Sequence, residues 1–256
     1  MRTSIRNSLS DTMVMMERRL RHSFRSVDTI ITVVAMPVVL MLMFVYVFGG
    51  AMNTGTGHYI NYIVPGIILM TISSGVAYTA LGVNTDITSG FFDRFRSMPI
   101  AESSILTGHV LTSVVFSAVS SFIVFVVALA MGFRTGAGIV GGLSIIGLFS
   151  LYTIATTWLA VMFGLLAKTA EGAGIFAYPL IFLPFVSSGF APTKTMPGPL
   201  RVFAENQPVT HIINAVRALL AGQPVGNSAW IAIAWCLVLL VAAYLTSMYI
   251  YKNKTT

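Results

Sequence analysis

The side chains in this sequence with catalytic or ligating chemistry are four histidines (His22, His58, His109, His211), one cysteine (Cys236), four lysines and eight carboxylates. Their spacing decides what they can do. A zinc hydrolase needs a His-Glu-x-x-His turn, a serine hydrolase a Gly-x-Ser-x-Gly elbow, and a thiol enzyme a cysteine paired with a histidine. The chain has none of these patterns. A phosphate-binding loop needs a lysine that follows glycine and reaches the phosphates from a glycine-rich cradle. Lys168, Lys194, Lys252 and Lys254 all follow other residues, so any ATP that drives this protein is bound elsewhere. The eight acids (Asp11, Glu17, Asp28, Asp86, Asp93, Glu102, Glu171, Glu205) all fall between the apolar runs. Proton- or sodium-coupled carriers place an ionisable group inside the membrane, where its cost marks a functional site. Coupling of that kind is therefore disfavoured, although a sodium site made of carbonyls alone stays open. His109, near the inner end of an apolar run, reads as a helix-packing or interface residue rather than a ligand.

The elements that would position these residues are apolar. The chain has 256 residues, 56% hydrophobic and 9% charged, with a mean hydropathy of +0.85, where soluble domains carry about 25% charged residues. A net charge of +7 would suit nucleic acid only if it were gathered on a hydrophilic face. Here the basic residues sit between apolar runs, as topology signals do, and nucleic acid is not a partner. Residues 29–48, 60–82, 105–131, 139–167 and 229–250 contain no Asp, Glu, Lys or Arg, and about 20 apolar residues cross a bilayer. Residues 174–191 are also uncharged but short and interrupted by Pro179 and Pro184; they read as a kinked sixth span. The first 28 residues hold six arginines and no apolar run long enough for a cleavable signal. With six spans, eleven Lys and Arg fall on the side of both termini and four on the other, which puts both termini in the cytoplasm.

Three connecting segments are patterned. Leu9, Met13, Met16, Leu20 and Phe24 make one face of a helix while Arg18, Arg19, Arg21 and Arg25 point elsewhere, as in a helix lying in the membrane surface or packed on another domain. In the second connection, residues 84–104, Ile87, Phe91 and Phe95 recur four apart before Pro99 stops the turn. Aromatic and arginine enrichment is what protein-binding surfaces show; anchoring of the phenylalanines at lipid headgroups is the alternative. In the fifth connection, residues 192–227, Pro197 can start a short helix and Pro208 a second, whose apolar face is Ile212, Ile213, Val216, Leu219 and Leu220. Such helices either cap a pathway from outside or form a plain surface hairpin. Within the spans, Ser113, Ser117 and Ser121, and Thr156, Ala160 and Gly164, repeat at four and let helices approach closely.

The amphipathic start, the stretch Phe92-Asp93-Arg94-Phe95-Arg96-Ser97-Met98-Pro99-Ile100 between spans two and three, and the late Met196-Pro197 and Asn206-Gln207-Pro208-Val209-Thr210 with a helix ending near Gly222 together resemble the type-2 permeases of ATP-binding-cassette (ABC) exporters. That group includes the daunorubicin and doxorubicin resistance permeases and exporters of nodulation factors, polysaccharides and teichoic acids. Gln207 stands between Asn206 and Pro208 where the family commonly has Asn-Pro. The resemblance implies an all-α integral membrane protein forming one permease domain over residues 1–256, with six transmembrane helices, an N-terminal interfacial helix and external re-entrant helices before the last span. It further implies a multi-pass protein of the plasma membrane, assembled as a homodimer or heterodimer of permeases on separate ABC ATPase subunits. ATP and Mg2+ would sit on those subunits, with no cofactor or catalytic residue in this chain. Phe91, Phe92, Asp93, Arg94, Phe95, Arg96, Met98 and Pro99 would form the segment that seats on the ATPase, accompanied by Arg18, Arg19 and Arg21 of the surface helix. Thr71, Ser74, Tyr78, Phe182 and Phe185 would line the route of a hydrophobic or amphipathic cargo. An ion-coupled secondary transporter or channel is the alternative.

Overall fold

A computed structural model describes residues 25–51, 58–89 and 102–254, with 16, 17, 20, 21 and 23, and omits the side chains at 102–105, 176 and 254. The expected ATPase-seating residues Phe91, Phe92, Asp93, Arg94, Phe95, Arg96, Met98 and Pro99, and also Arg18 and Arg19, lie outside the described residues. Eight helices, and no strand, occur among the described residues: α1 (Val27–Phe48), α2 (Tyr59–Thr88), α3 (Glu102–Ala130), α4 (Ile139–Leu166), α5 (Ala170–Phe182), α6 (Gly198–Asn206), α7 (Pro208–Leu220) and α8 (Ser228–Lys254). Hydrocarbon offers backbone groups no partner, so apolar runs of this length can cross it only as helices. The protein is an all-helical integral membrane protein, with five helices long and apolar enough to span.

Local chemistry sets the helix ends. Ser26 caps α1, its hydroxyl accepting from the Thr29 amide at 3.3 Å. Within α1 the turns of Ile31–Ala35 widen to π geometry just before Pro37, whose missing N–H and bulky ring break the regular ladder there. Gly132 and Gly222 take positive φ (97° and 66°), and the residues after them return amides to Ala128 and Ala218, closing α3 and α7 with Schellman turns.

α2 is the axis of the fold. Its most apolar window is 78% buried, against 17–33% for the other four spans, and α1, α3, α4, α5 and α7 all pack on it. Two glycines allow this closeness. A Cβ at Gly66 would stand 3.0 Å from the Gly189 backbone, and one at Gly164 on α4 would stand 2.7 Å from the Ala80 carbonyl oxygen on α2. α8 covers α4 and α7 from the side. The outward faces of the peripheral spans keep large apolar residues exposed, including Val39, Phe122, Ile146 and Val238; such a surface suits lipid or a second membrane chain.

Two boundaries differ from the sequence reading. α2 runs on to Thr88, so Asn84 and Asp86 belong to its last turns and not to a connection, and Asp86 is a carboxylate within a spanning helix. Residue preferences end a helix softly; here Val83, Asn84 and Asp86 stay buried in its last turns while Thr85 and Thr88 are exposed. In place of a helix over 174–191, α5 starts earlier, with Thr169 capping the Gly172 amide at 3.1 Å, and stops at Phe182. Pro184 cannot donate to Leu180, and the chain continues through three-residue turns from Phe182 and Leu183. At about 1.5 Å per residue, the 13 residues of α5 fall short of ~30 Å of hydrocarbon. Even so, the stretch from Ala167 to Phe190 follows α2 along its length. Asn84 donates to the Ala167 carbonyl at 2.7 Å, and the Tyr59 hydroxyl donates to the Phe190 carbonyl at 2.7 Å. The two helices expected in the fifth connection are present as α6 and α7, preceded by a short 3₁₀ turn, Thr193–Thr195.

Candidate functional site

Buried hydroxyls, among them Ser73, Ser117 and Thr157, lie along the middle of the body, and the buried amide and ionisable side chains stand toward the two ends of α2. At its amino-terminal end, α7 lays Val209, Ile212, Ile213, Val216 and Leu220 against the core. The opposite requirement falls on Gln207, Thr210, Asn214 and Arg217, which the helical repeat brings toward the turns that follow α5. Arg217 donates to the Ser188 carbonyl at 2.7 Å, to the Tyr62 carbonyl at 3.2 Å and to Asn214 Oδ1 at 3.2 Å. Its guanidinium carbon also stands 3.7 Å from the centre of the Tyr62 ring. Among the described residues no carboxylate pairs with it, so carbonyl dipoles and a π face hold the charge. Burial pulls the Arg217 pKa down, with Tyr62 opposing that shift. Burial likewise lowers that of His211 on the same helix. Gln207 donates to the Val186 carbonyl at 3.0 Å, and the Thr210 hydroxyl accepts from the Ser188 amide at 3.3 Å. α7, the turns after α5 and the start of α2 are thereby tied into one unit. On α6, the exposed Glu205 is held below the usual carboxylate range chiefly by its hydrogen bond from Arg201.

An aromatic row crosses the same end. The Phe185 ring stacks on Phe190 at 4.5 Å, Phe190 meets Phe44 of α1 at 5.1 Å, and Phe182 lies 6.3 Å from Phe185. Two of the five expected route residues, Phe182 and Phe185, stand in this row. The other three lie elsewhere on α2: Thr71 is buried and donates to the Ile67 carbonyl of its own helix, Ser74 is buried, and Tyr78 reaches the Asp28 carbonyl of α1 at 3.4 Å. Phe44, Tyr62, Phe190 and Arg217 were not singled out from sequence. Arg217 enters the sequence reading only as a topology charge, although its spacing from Gln207, Thr210 and Asn214 on the polar face of the same helix is a signal.

At the other end of α2, Asn84 donates to the Gly164 and Ala167 carbonyls at 3.1 and 2.7 Å, tying α2 to the end of α4. Two residues on, Asp86 Oδ2 and His109 Nε2 of α3 meet at 3.0 Å, both buried. Residues 89–101, which hold the expected Phe91–Pro99 segment, join these two helices. Arg21 is exposed and pairs with Glu17 one turn away.

Residues 10–221 match the family model of the ABC-2 type transporter. The chain belongs to that family. This ABC-2 permease is 30% identical over 237 residues to a daunorubicin resistance ABC transporter permease protein of Streptomyces coeruleorubidus, an alignment covering 88% of this chain and 80% of that one. It is 25% identical over 219 residues to a probable doxorubicin resistance ABC transporter permease protein of Mycobacterium tuberculosis, covering 85% of this chain and 79% of the other. The family match takes in every element from the start of α1 to Ala221, both ends of α2 included; α8 of the permease lies beyond it.

Proposed function

We propose that this ABC-2 permease is the membrane half of an exporter that moves a hydrophobic or amphipathic molecule, a drug, an antibiotic, a lipid or a glycolipid, out of the cytoplasm or inner leaflet. Separate ATPase subunits holding ATP and Mg2+ supply the power, and two permease chains, identical or related, form the route. The observation that carries this reading is the family match over residues 10–221. The two relatives named for daunorubicin and doxorubicin resistance direct it toward amphipathic cargo.

On this reading the chain crosses the plasma membrane six times with both termini inside. In support, the stretch from Ala167 to Phe190 accompanies α2 from Asn84 to Tyr59, about 37 Å of helix at ~1.5 Å per residue. α5 and its trailing turns together thus cover the depth of a span. The preponderance of Lys and Arg at the termini and in the second connection orients it. ATP binding closes the ATPases and drags the segment Phe91, Phe92, Asp93, Arg94, Phe95, Arg96, Met98 and Pro99, while Arg18, Arg19 and Arg21 keep the surface helix at the headgroups. Spans one, two and five then tilt against their mates. The cargo passes Thr71, Ser74 and Tyr78 toward Phe182 and Phe185 and leaves beside α6 and α7, which Arg217 pins over the outer end.

The test is ATP-driven daunorubicin uptake into inside-out vesicles carrying the permease with a partner ABC ATPase. Uptake is expected with the native chain and is expected to vanish with Phe91→Asp/Phe95→Asp while the permease stays inserted; undiminished uptake by that double variant would defeat the coupling assignment. The buried Asp86–His109 pair is the observation that favours the other reading, an ion-coupled carrier. Purified permease alone in liposomes under a proton gradient separates the two: solute flux without ATPase would favour the carrier.

A further inference from the structure

We infer that Asp86 and His109 are positioning residues that lock the inner ends of α2 and α3 into a single lever. The inference rests on the permease reading above, in which the segment between those helices receives the ATPase's push.

A load applied to a connection between two helices is shared only if the helices cannot splay or rotate against each other. α2 ends at Thr88 and α3 begins at Glu102, so Asp86 stands within the last turn before the connection and His109 about two turns after it. Their carboxylate and imidazole meet at 3.0 Å, with the residues 9% and 5% exposed. A hydrogen bond between side chains in so dry a place is directional and costly to leave unmade. Turning α3 by one residue, about 100° at 3.6 residues per turn, would carry His109 away from Asp86 altogether.

The surroundings need no such bond for adhesion. Val83 of α2 with Leu106 and Val110 of α3 already join an apolar cluster with Val161, Leu165 and Tyr251, and buried polar pairs are often replaceable by apolar residues at no cost in stability. What the pair adds is register: one rotation and one height of α3 on α2. Asn84, two residues before Asp86 on the same helix, extends the lever by gripping the carbonyls at the end of α4. A force on the connection is then delivered to three helices as one body and carried along α2 to the outer unit that Arg217 ties.

The experiment is a distance measurement in the full permease, assembled with its ATPase in lipid nanodiscs. On a Cys236→Ser background, spin labels go to Thr85→Cys on α2 and Leu111→Cys on α3, both exposed positions. Native side chains at 86 and 109 are expected to give one narrow distance that ATP and Mg2+ leave unchanged. His109→Leu, which keeps volume but removes the bond, is expected to make the distance shift by several ångströms when nucleotide binds, and Asp86→Ala to do the same. The exchanged pair Asp86→His/His109→Asp is expected to restore the nucleotide-independent distance. A native distance that moves with nucleotide overturns the inference. So does a His109→Leu distance that stays put, or one broadened equally with and without nucleotide, the mark of packing alone. Failure of the permease to assemble with any ATPase counts against the permease reading instead; the broadening or narrowness of the His109→Leu distance in the permease alone then decides whether the pair holds the two helices.

Discussion

A buried guanidinium is tolerable only where most of its donors are met, and the two terminal nitrogens of Arg217 meet two carbonyls and an amide oxygen beside an aromatic face, while its Nε is buried with no hydrogen-bond partner among the described residues. The planar fork matters as much as the charge. Arg217→Lys keeps the cation but cannot reach Ser188 and Tyr62 in one plane, and Arg217→Ala leaves both carbonyls bare. Each charge-assisted bond lost costs roughly 1.5–3 kcal/mol. Purified permease is therefore expected to unfold at lower temperature with lysine and lower still with alanine. Equal melting of all three would mean that Arg217 does not tie α7 to its neighbours. Tyr59→Phe is a milder probe of the same end: it deletes only the hydroxyl bond to Phe190, worth roughly 0.5–1.5 kcal/mol. Its expected effect on melting is correspondingly smaller than that of Arg217→Ala.

Helix elements in this protein meet through small residues, and the glycines predict which contacts are full. A valine at Gly164 would bring its Cβ within 2.7 Å of the Ala80 carbonyl, where no flexible side chain can yield, so α4 must move off α2. Overpacking of this kind costs roughly 1–3 kcal/mol. Gly142→Ala on the same helix meets nothing within 4 Å and serves as the control. Thermal unfolding of the two variants should separate them clearly, with Gly164→Val destabilised and Gly142→Ala close to native. The repeat Thr156, Ala160, Gly164 was visible in the sequence as a close-packing stripe; that α2 is what it packs against was not. The serine stripe on α3 behaves likewise, with Ser113 accepting a hydrogen bond from Thr157 at 3.2 Å and Ser117 lying against Gly75.

For the molecule as a whole, the decisive question is how many times the chain crosses. Single cysteines in a Cys236→Ser background at Lys168, Lys194 and Lys252, all exposed, should answer it with a membrane-impermeant thiol reagent. Six crossings predict that position 194 labels from outside intact cells while 168 and 252 label only after the membrane is opened. Labelling of 194 and 168 from the same side would mean that the stretch between them turns back, and would place the unit around Arg217 on that side too.

Apolar run length and the placement of arginines and lysines settled by themselves that this is a helical membrane protein, because hydrocarbon rejects unpaired backbone and charge at a cost no local preference can offset. The same one-dimensional signal located α6 and α7 through Pro197, Pro208 and Gly222, since caps and breakers act on neighbours in sequence. Only the tertiary structure decided that α2 is the enclosed axis and that Asn84 and Asp86 belong to it. It also decided that α5 gives way to turns at Pro184, and that Arg217, Ser188 and Tyr62, far apart in the chain, hold one another. Burial and hydrogen-bond partners between distant segments are properties of the packed helices, and no pattern within a single segment encodes which face another helix will cover.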